Sequence, residues 1–191
     1  MRVSKEQAAE NRRRIVEVAG TMFRERGFNG IGVADLMKEA GLTHGGFYGH
    51  FGSKDDLAAE ACTLALAKAA ERWGMAADEA GGPDDPLAAI AGFYLSAAHR
   101  DAPASGCPIA ALGVDAARQD GPVRRAFTEG LRPFVEVLGR LVPGRTKAAR
   151  RETALATLSA MVGAVILARA VDDPALSDDI LAAAKARITA S

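Results

Sequence analysis

The sequence predicts an all-α protein of about nine helices. Apolar residues recur at the three- and four-residue spacing of a helical face along most of the chain, and no run alternates apolar and polar residues as a strand does. Hydrophobic residues make up 49% of the 191 residues but aromatic residues only 5%, which favours helices packed through Ala, Leu and Val. A chain of this length and composition buries the core of one or two helical domains.

Three helices are predicted before residue 53. Apolar residues share one face over residues 6–26, and Gly27 then supplies the expected stop. A shorter helical pattern ends at Gly41, and a third begins at Thr43, a favourable N-cap, and runs to about Phe51. Two short helices joined by a glycine-containing turn predict a helix-turn-helix.

The remaining pattern is also helical. Ser53, with Asp56 three residues later, predicts the start of a long helix that reaches about residue 79. The cluster of Gly81, Gly82, Pro83 and Pro86 is the clearest break in the chain. Beyond it, helical patterns cover residues 87–95, 123–138, 146–171 and 176–188, and Pro108 predicts the start of a further helix.

Charge and composition exclude several classes of protein. The 24 basic residues balance 24 acidic ones, so a globally basic DNA-binding protein is excluded. The first fourteen positions nevertheless contain five basic residues and only two acidic ones; the basic residues are Arg2, Lys5, Arg12, Arg13 and Arg14. That local excess suits phosphate contacts and a solvated helix start equally. No stretch approaches the roughly 20 uncharged apolar residues of a membrane span, and no secretory signal is present, so a cytoplasmic location without membrane attachment is expected.

Only two cysteines occur, Cys62 and Cys107, and their spacing favours neither a disulfide framework nor a zinc site. We therefore expect no metal and no cofactor.

Residues 41–57, GLTHGGFYGHFGSKDDL, are the strongest functional signal. A helix that enters a major groove, about 12 Å wide, needs a small or polar exposed side and phosphate donors at its flanks. Hydroxyl, imidazole and ammonium groups supply such donors, and His44 is the best candidate for a base contact, beside a surface of small glycines. We therefore predict that DNA is bound by Thr43, His44, Gly45, Gly46, Tyr48, His50 and Lys54. Phe47 and Phe51 are expected to anchor this helix to its own core.

The same segment resembles the tetracycline-repressor (TetR) family of bacterial transcriptional regulators. The resemblance extends over about residues 11–57, and the matching positions are Phe23, Gly27, Gly41, Gly45, Phe47, Tyr48, His50, Phe51, Ser53, Lys54 and Leu57. It implies a three-helix DNA-binding domain, here residues 1–52, and a helical regulatory and dimerisation domain, here residues 53–191. It further implies a repressor that binds a palindromic duplex operator as a homodimer and is released by a small-molecule inducer.

The sequence departs from the family pattern at several positions. Ile31 and Gly32 stand where a hydroxyl residue usually opens the second helix, and Gly46 and Gly49 replace larger side chains in the recognition helix. Each helical glycine costs roughly 1 kcal/mol relative to Ala. We therefore expect a recognition helix that is only partly formed without DNA, and readout that depends on His44 and DNA shape.

The regulatory half offers candidates for ligand sensing. Trp73, Phe93 and Phe127 are aromatic residues that either line a pocket or pack the core. Cys107 directly precedes Pro108, so its sulfur is expected at the N-cap of a helix. Free backbone N–H groups at a helix start favour a thiolate, which is the reactive form of cysteine. Modification of this thiol is therefore a second possible route to release from DNA. The alternative is a small buried apolar residue.

The last two helices are dense in Ala and Leu. Ala160, Gly163, Ala164 and Leu167 form a stripe of small residues that suits either the intramolecular core or a partner chain, and the family resemblance favours dimerisation through these helices.

Two other functions remain as alternatives. One is a small helical thiol enzyme in which Cys107 is the nucleophile and His99 the base. The other is a helix-turn-helix module that binds only proteins.

Overall fold

The structure, a computed structural model, describes residues 4–79 and 85–190. Within these ranges the chain forms nine α-helices and one 3₁₀ helix and contains no strand, which confirms the all-α prediction. The α-helices are α1 (Lys5–Arg26), α2 (Val33–Glu39), α3 (Lys54–Glu79), α4 (Pro86–Tyr94), α5 (Ala97–Asp101), α6 (Pro108–Ala117), α7 (Gly121–Leu141), α8 (Lys147–Ala170) and α9 (Pro174–Thr189), and the 3₁₀ helix spans His44–Gly49. Arg2 and the predicted break at Gly81, Gly82 and Pro83 lie outside the described residues.

The ends of α1 follow the local sequence. The Ser4 hydroxyl accepts a hydrogen bond from the Gln7 backbone N–H at 3.1 Å. Gly27 ends the helix with φ +73°, a left-handed conformation that favours glycine, and its N–H donates to the Phe23 carbonyl at 2.7 Å. Both the start and the predicted glycine stop therefore rest on ordinary capping chemistry.

The third predicted helix is present, but its geometry is 3₁₀ rather than α. Thr43 occupies the N-cap position without a side-chain capping bond, and the segment closes with His50 N–H donating to the Phe47 carbonyl at 2.9 Å. Three of its six residues are glycine, each of which opposes α-helix formation by roughly 1 kcal/mol relative to Ala. The tighter turn is consistent with this weak intrinsic helix preference.

The long helix α3 connects the two halves of the molecule. It starts as predicted, with the Ser53 hydroxyl accepting the Asp56 N–H at 3.0 Å, and it packs along both α1 and α7. The approach to α7 is close at Gly130, where an added Cβ would lie 2.5 Å from Leu66 Cδ1 and 2.8 Å from Leu66 Cβ. Only glycine fits between these two helix axes without displacing Leu66.

A single apolar core extends through both halves. It runs from Ile15 in α1 through Leu66 and Phe134 to Ile188 in α9, all of them buried. Because α1 and the 3₁₀ helix share this core with α7 and α9, the N-terminal and C-terminal parts are joined by packing as well as by the chain.

α8 differs from the other helices in composition. By length and apolar content alone it meets the criterion for crossing a membrane, contrary to the sequence expectation, and 33% of its most apolar window is buried within this chain. Leu155 and Leu167 are exposed by 42% and 57%. Part of the apolar surface of α8 is therefore left uncovered by the described residues of the chain.

Substituting Gly130 by Ala tests the close approach of α3 and α7. We expect a net loss of up to about 2 kcal/mol in the free energy of unfolding, because overpacking costs about 1–3 kcal/mol and exceeds the roughly 1 kcal/mol helix gain of Ala. The matched control is Gly139→Ala in the same helix, where an added Cβ meets no atom within 4 Å. That variant should be stabilised by about 0.5–1 kcal/mol in urea unfolding, and equal effects of both substitutions would contradict the packing argument.

Candidate nucleic-acid interface and the core behind it

The 3₁₀ helix is anchored by two aromatic side chains. Phe47 and Phe51 are 1% and 4% exposed, and their ring centroids lie 5.6 Å apart. This confirms that they anchor the helix to its own core. With these residues held inward, Tyr48 projects outward and is 70% exposed.

The outward side of this segment carries polar groups at both ends. Thr43 and His44 are exposed at its start, and His50 and Lys54 are half-buried where the chain enters α3. The Thr43 hydroxyl is not used for capping, and Lys54 has no ion-pair partner among the described residues. These side chains are therefore available for hydrogen bonds to a ligand that lies along the helix, and Lys54 adds its charge to the free N–H groups at the start of α3.

The glycines of the 3₁₀ helix are not required by the packing of the protein. An added Cβ at Gly45 or Gly49 meets no atom within 4 Å, and neither residue has a positive φ. At Gly46 the added atom would make ordinary contacts of 3.6 Å with Met37 and 3.7 Å with Thr43. Since the fold does not need these glycines, their effect is to leave a low surface on which another backbone can approach closely.

The basic side chains of α1 have mixed roles. Arg12 pairs with Glu60 and lies over the Phe51 ring at 4.6 Å, so it braces α1 against α3 and the anchor residues. Arg13 pairs with Glu10 on its own helix. Arg14 makes no ion pair with any described residue, and its Nη2 would lie 3.9 Å from a Cβ at Gly41. Of these three, Arg14 is the one that remains available for a phosphate beside the helix-turn-helix.

A buried histidine organises the regulatory half. His99, 5% exposed, lies between the Tyr94 carbonyl, 2.7 Å from Nδ1, and the Cys107 backbone N–H, 2.9 Å from Nε2. A backbone N–H can only donate, so Nε2 accepts and the ring proton resides on Nδ1. Burial, aided by the positive charges of Arg169 and Arg72, lowers the pKa of His99 and favours this neutral form.

Cys107 occupies the predicted N-cap of α6, and its burial favours the alternative prediction, a small buried apolar residue, over a thiolate. Burial raises the pKa of the Cys107 thiol and outweighs the opposing interactions of Tyr94 and of the Ile109 and Ala110 N–H groups. Cys62 is buried in the core of α3, and burial raises its pKa to about 12. Sequence reasoning located the Cys107 sulfur at the helix start but did not reveal how completely the fold removes it from water.

Two polar atoms beside Cys107 are buried without a regular hydrogen bond to any described residue. They are the Tyr94 hydroxyl, which lies close to the Cys107 thiol, and Nη1 of Arg169. Arg169 uses its other nitrogens, Nε on the Arg100 carbonyl at 2.9 Å and Nη2 on the His99 carbonyl at 2.8 Å. A groove of about 360 Å³ reaches Arg169 from the protein surface. Because the Tyr94 hydroxyl faces the Cys107 thiol, Nη1 of Arg169 is the donor of this cluster that no described residue accepts.

The structure separates the four sensing candidates. Trp73 packs edge-on against Tyr94 and Phe134 at centroid distances of 5.3 and 5.0 Å, next to the cluster around Cys107. Phe127 is buried on α7. Phe93 is 65% exposed and stacks on His99 at 5.9 Å, so it covers the cluster from outside.

Two hydrogen bonds link this half directly to the end of α1. Arg24 Nε donates to the Ala104 carbonyl at 2.7 Å, and the Phe28 N–H donates to Asp115 Oδ2 at 3.2 Å. Sequence reasoning missed both, because neither partner belongs to a local motif and each pair is more than 79 residues apart. They connect the loop before α6, and α6 itself, to the end of α1 and the turn that follows it.

Sequence comparisons identify relatives of the N-terminal part. Residues 15–61 match the family model for bacterial regulatory proteins of the tetR family. Over 89 residues, 47% of the chain, the sequence is 33% identical to the HTH-type transcriptional regulator AcrR of Shigella flexneri, of which 40% is covered. Over 57 residues, 30% of the chain, it is 40% identical to the regulator TtgR of Pseudomonas putida, of which 27% is covered. The chain thus spans less than half the length of these curated relatives.

A solved structure extends the similarity to the whole chain. A TetR transcriptional regulator from Chloroflexus aurantiacus superimposes with a TM-score of 0.76 and 25% sequence identity, covering 96% of each chain. The helices beyond residue 61 therefore share the arrangement of that regulator.

The His99 interaction predicts how stability depends on pH. Because the folded pKa is lowered, the neutral ring contributes stability that is present above the unfolded value of about 6.5 and is lost as pH falls below it. The urea concentration at which half of the protein is unfolded should therefore decrease when the pH is lowered from 7.5 to 5.5. His99→Gln, which does not titrate, should flatten this dependence, whereas His44→Gln on the exposed surface should keep it. An unchanged slope in His99→Gln would show that other groups cause it.

Proposed function

We propose that this chain, which belongs to the TetR family of bacterial regulatory proteins, is a homodimeric transcriptional repressor that binds a palindromic duplex operator and is released by a small-molecule inducer. The observation that carries the proposal is the 3₁₀ helix, whose aromatic side is locked in the core while hydroxyl, imidazole and ammonium groups surround a glycine surface. Residues 1–52 would bind DNA and residues 53–191 would sense and dimerise, in the cytoplasm.

The contacts with DNA divide into two kinds. Thr43, Tyr48, His50 and Lys54 flank the glycine surface and would bind phosphates, which position the helix without reading sequence. His44, exposed at the start of the helix, would contact base edges, while Gly45 and Gly46 let the backbone approach them. α2 adds little, because its N-cap is Gly32, which offers no side-chain donor.

The exposed face of α8 supports dimerisation through the last two helices. Ala160 and Leu167 are exposed, and Gly163 has open space where a Cβ would stand, so helices from two copies can approach closely there. Leu176 of α9, 47% exposed, extends the same kind of surface. Ala164 faces the chain's own core and is 6% exposed, so we leave it out of the proposed interface. A partner copy on this face also accounts for the apolar composition of α8 without a membrane.

Release from DNA would follow from a change in the separation of the two recognition helices. Two half-sites one turn apart require a spacing of about 34–36 Å, and α3 begins at the DNA surface and runs into the regulatory core. An inducer with a hydrogen-bond acceptor would engage Nη1 of Arg169, in the cluster that also contains Tyr94 and Trp73. Opening this closed cluster would strain the contacts of Arg24 and Asp115 with the end of α1 and shift the population toward a spacing that does not fit the operator.

Thiol modification is the less favoured route to release. Cys107 is 5% exposed and burial raises its pKa, so a reagent must first open the core before a thiolate forms.

A thiol enzyme is also disfavoured. His99 Nε2 already accepts the Cys107 backbone N–H and is therefore not free to take a proton from the sulfur.

The Lys54→Gln variant tests the proposed phosphate contact. We expect operator affinity to fall about tenfold near physiological salt, equally for matched and mismatched duplexes, and the slope of log K against log salt concentration to decrease by about 1. Fluorescence anisotropy at several salt concentrations measures both. Lys185→Gln on α9 removes the same charge and should leave binding unchanged. A helix-turn-helix that serves only protein partners would show no salt-dependent duplex binding in either protein.

The Gly163→Arg variant tests the dimer. An added Cβ at this position meets no atom within 4 Å, so we expect the protomer to fold while the arginine excludes a partner helix. We expect sedimentation velocity to show monomers and operator affinity to fall by at least tenfold, since two half-sites are no longer bound together. Gly74→Arg on α3, where an added Cβ also meets nothing within 4 Å, is the control. A Gly163→Arg protein that remains dimeric would place the interface elsewhere.

A further inference from the structure

A groove on the outer side of the regulatory half has no role in the function proposed above. It lies between the C-terminal half of α7 and the first turns of α8 and has a volume of about 580 Å³. Its walls are mostly apolar, while four cations and one carboxylate stand around them: the lining residues are Pro133, Val135, Glu136, Val137, Gly139, Arg140, Lys147, Arg150 and Arg151. The groove therefore combines an apolar floor with a net positive rim.

The cations of this rim are not explained by ion pairs. Lys147, Arg150 and Arg151 have no carboxylate partner among the described residues, and Arg150 donates only to the Gly144 carbonyl, at 3.2 Å. All three lie in the first turns of α8, which carries no acidic residue in its first turn. Positive side chains interact unfavourably with the positive end of the helix dipole, so three of them at the start of α8 reduce the stability of this helix by itself.

The position of the groove excludes the operator as its occupant. Nη1 of Arg140, on the rim, lies 3.7 Å from Oδ1 of Asp78, which is near the C-terminal end of α3. Lys54, at the DNA-binding end of the same helix, precedes Asp78 by 24 residues, which corresponds to about 36 Å of helix. DNA bound to the recognition helix does not reach the rim.

We propose that this α7–α8 groove binds an amphiphilic anion, a single alkyl chain that ends in a carboxylate. The apolar floor would take the chain and exclude water from it, and Lys147, Arg150 and Arg151 would bind the carboxylate. The volume lies within the range of about 300–1,000 Å³ that is typical of small-molecule sites. The inference is independent of DNA binding, because none of the lining residues belongs to the recognition segment.

Gly139 offers a way to fill the groove without disturbing the fold. It is one of the lining residues, and an added Cβ there meets no atom within 4 Å. A leucine at this position would extend into the space that the alkyl chain occupies, while it also improves helix propensity.

Isothermal titration of the full chain with dodecanoate, below its micelle concentration, tests the proposal. We expect one dodecanoate per chain and at least tenfold weaker binding of dodecanol, which has the same chain without the charge. Lys147→Gln/Arg150→Gln should weaken dodecanoate binding at least tenfold, and Gly139→Leu should abolish it. Arg124→Gln/Arg125→Gln removes two exposed charges from the opposite end of α7 and should leave binding unchanged.

Several results would overturn the proposal. They are no binding of dodecanoate, equal binding of dodecanol, or retained binding in Gly139→Leu with the helical circular dichroism intact. A change of oligomeric state in Gly139→Leu would also overturn it, because the groove would then be a contact between copies. These readouts do not involve DNA, so a failed operator experiment and a failed ligand experiment remain distinguishable.

Discussion

The close packing of α3 on α7 is the constraint on which the rest of the molecule depends. α3 begins beside the recognition segment, at Lys54, and its middle is held against Gly130 at a distance that admits no side chain. A contact this close resists the sliding of one helix along the other. A displacement of α7 must therefore be accommodated by α3, the helix whose start carries the proposed phosphate contact of Lys54.

The polar contacts with α1 supply a second connection of a different kind. The Arg24 and Asp115 hydrogen bonds join the end of α1 to the segment that contains Cys107 and to α6. Because hydrogen bonds depend on direction more steeply than apolar contacts do, a small rotation of α6 breaks them before it disrupts the core. The fold therefore combines a closely packed helix pair, α3 and α7, with hydrogen bonds that depend on the orientation of α6.

Local chemistry made much of this structure predictable from the sequence. The Gly27 stop, the Ser53 cap and the N-cap position of Cys107 each depend on neighbours within four residues, and all three are present. The all-helical class follows from periodicity alone. The tautomer of His99 did not follow, because it depends on backbone partners five and eight residues away that belong to no local capping motif. The position of Arg169 did not follow either, because its partner His99 lies 70 residues earlier in the chain. Burial also raises the pKa of the Cys107 thiol, and burial cannot be read from a local sequence motif.

The glycines of the recognition segment have a consequence for how such a regulator can change. Neither Gly45 nor Gly49 has a positive φ, and an added Cβ at either position meets no atom within 4 Å, so a side chain can start there without a clash. New donors and acceptors can therefore be introduced beside His44 without repacking the aromatic anchors. Under the proposed function, such substitutions would change which DNA sequence the segment prefers, while Phe47 and Phe51 continue to hold it in the core.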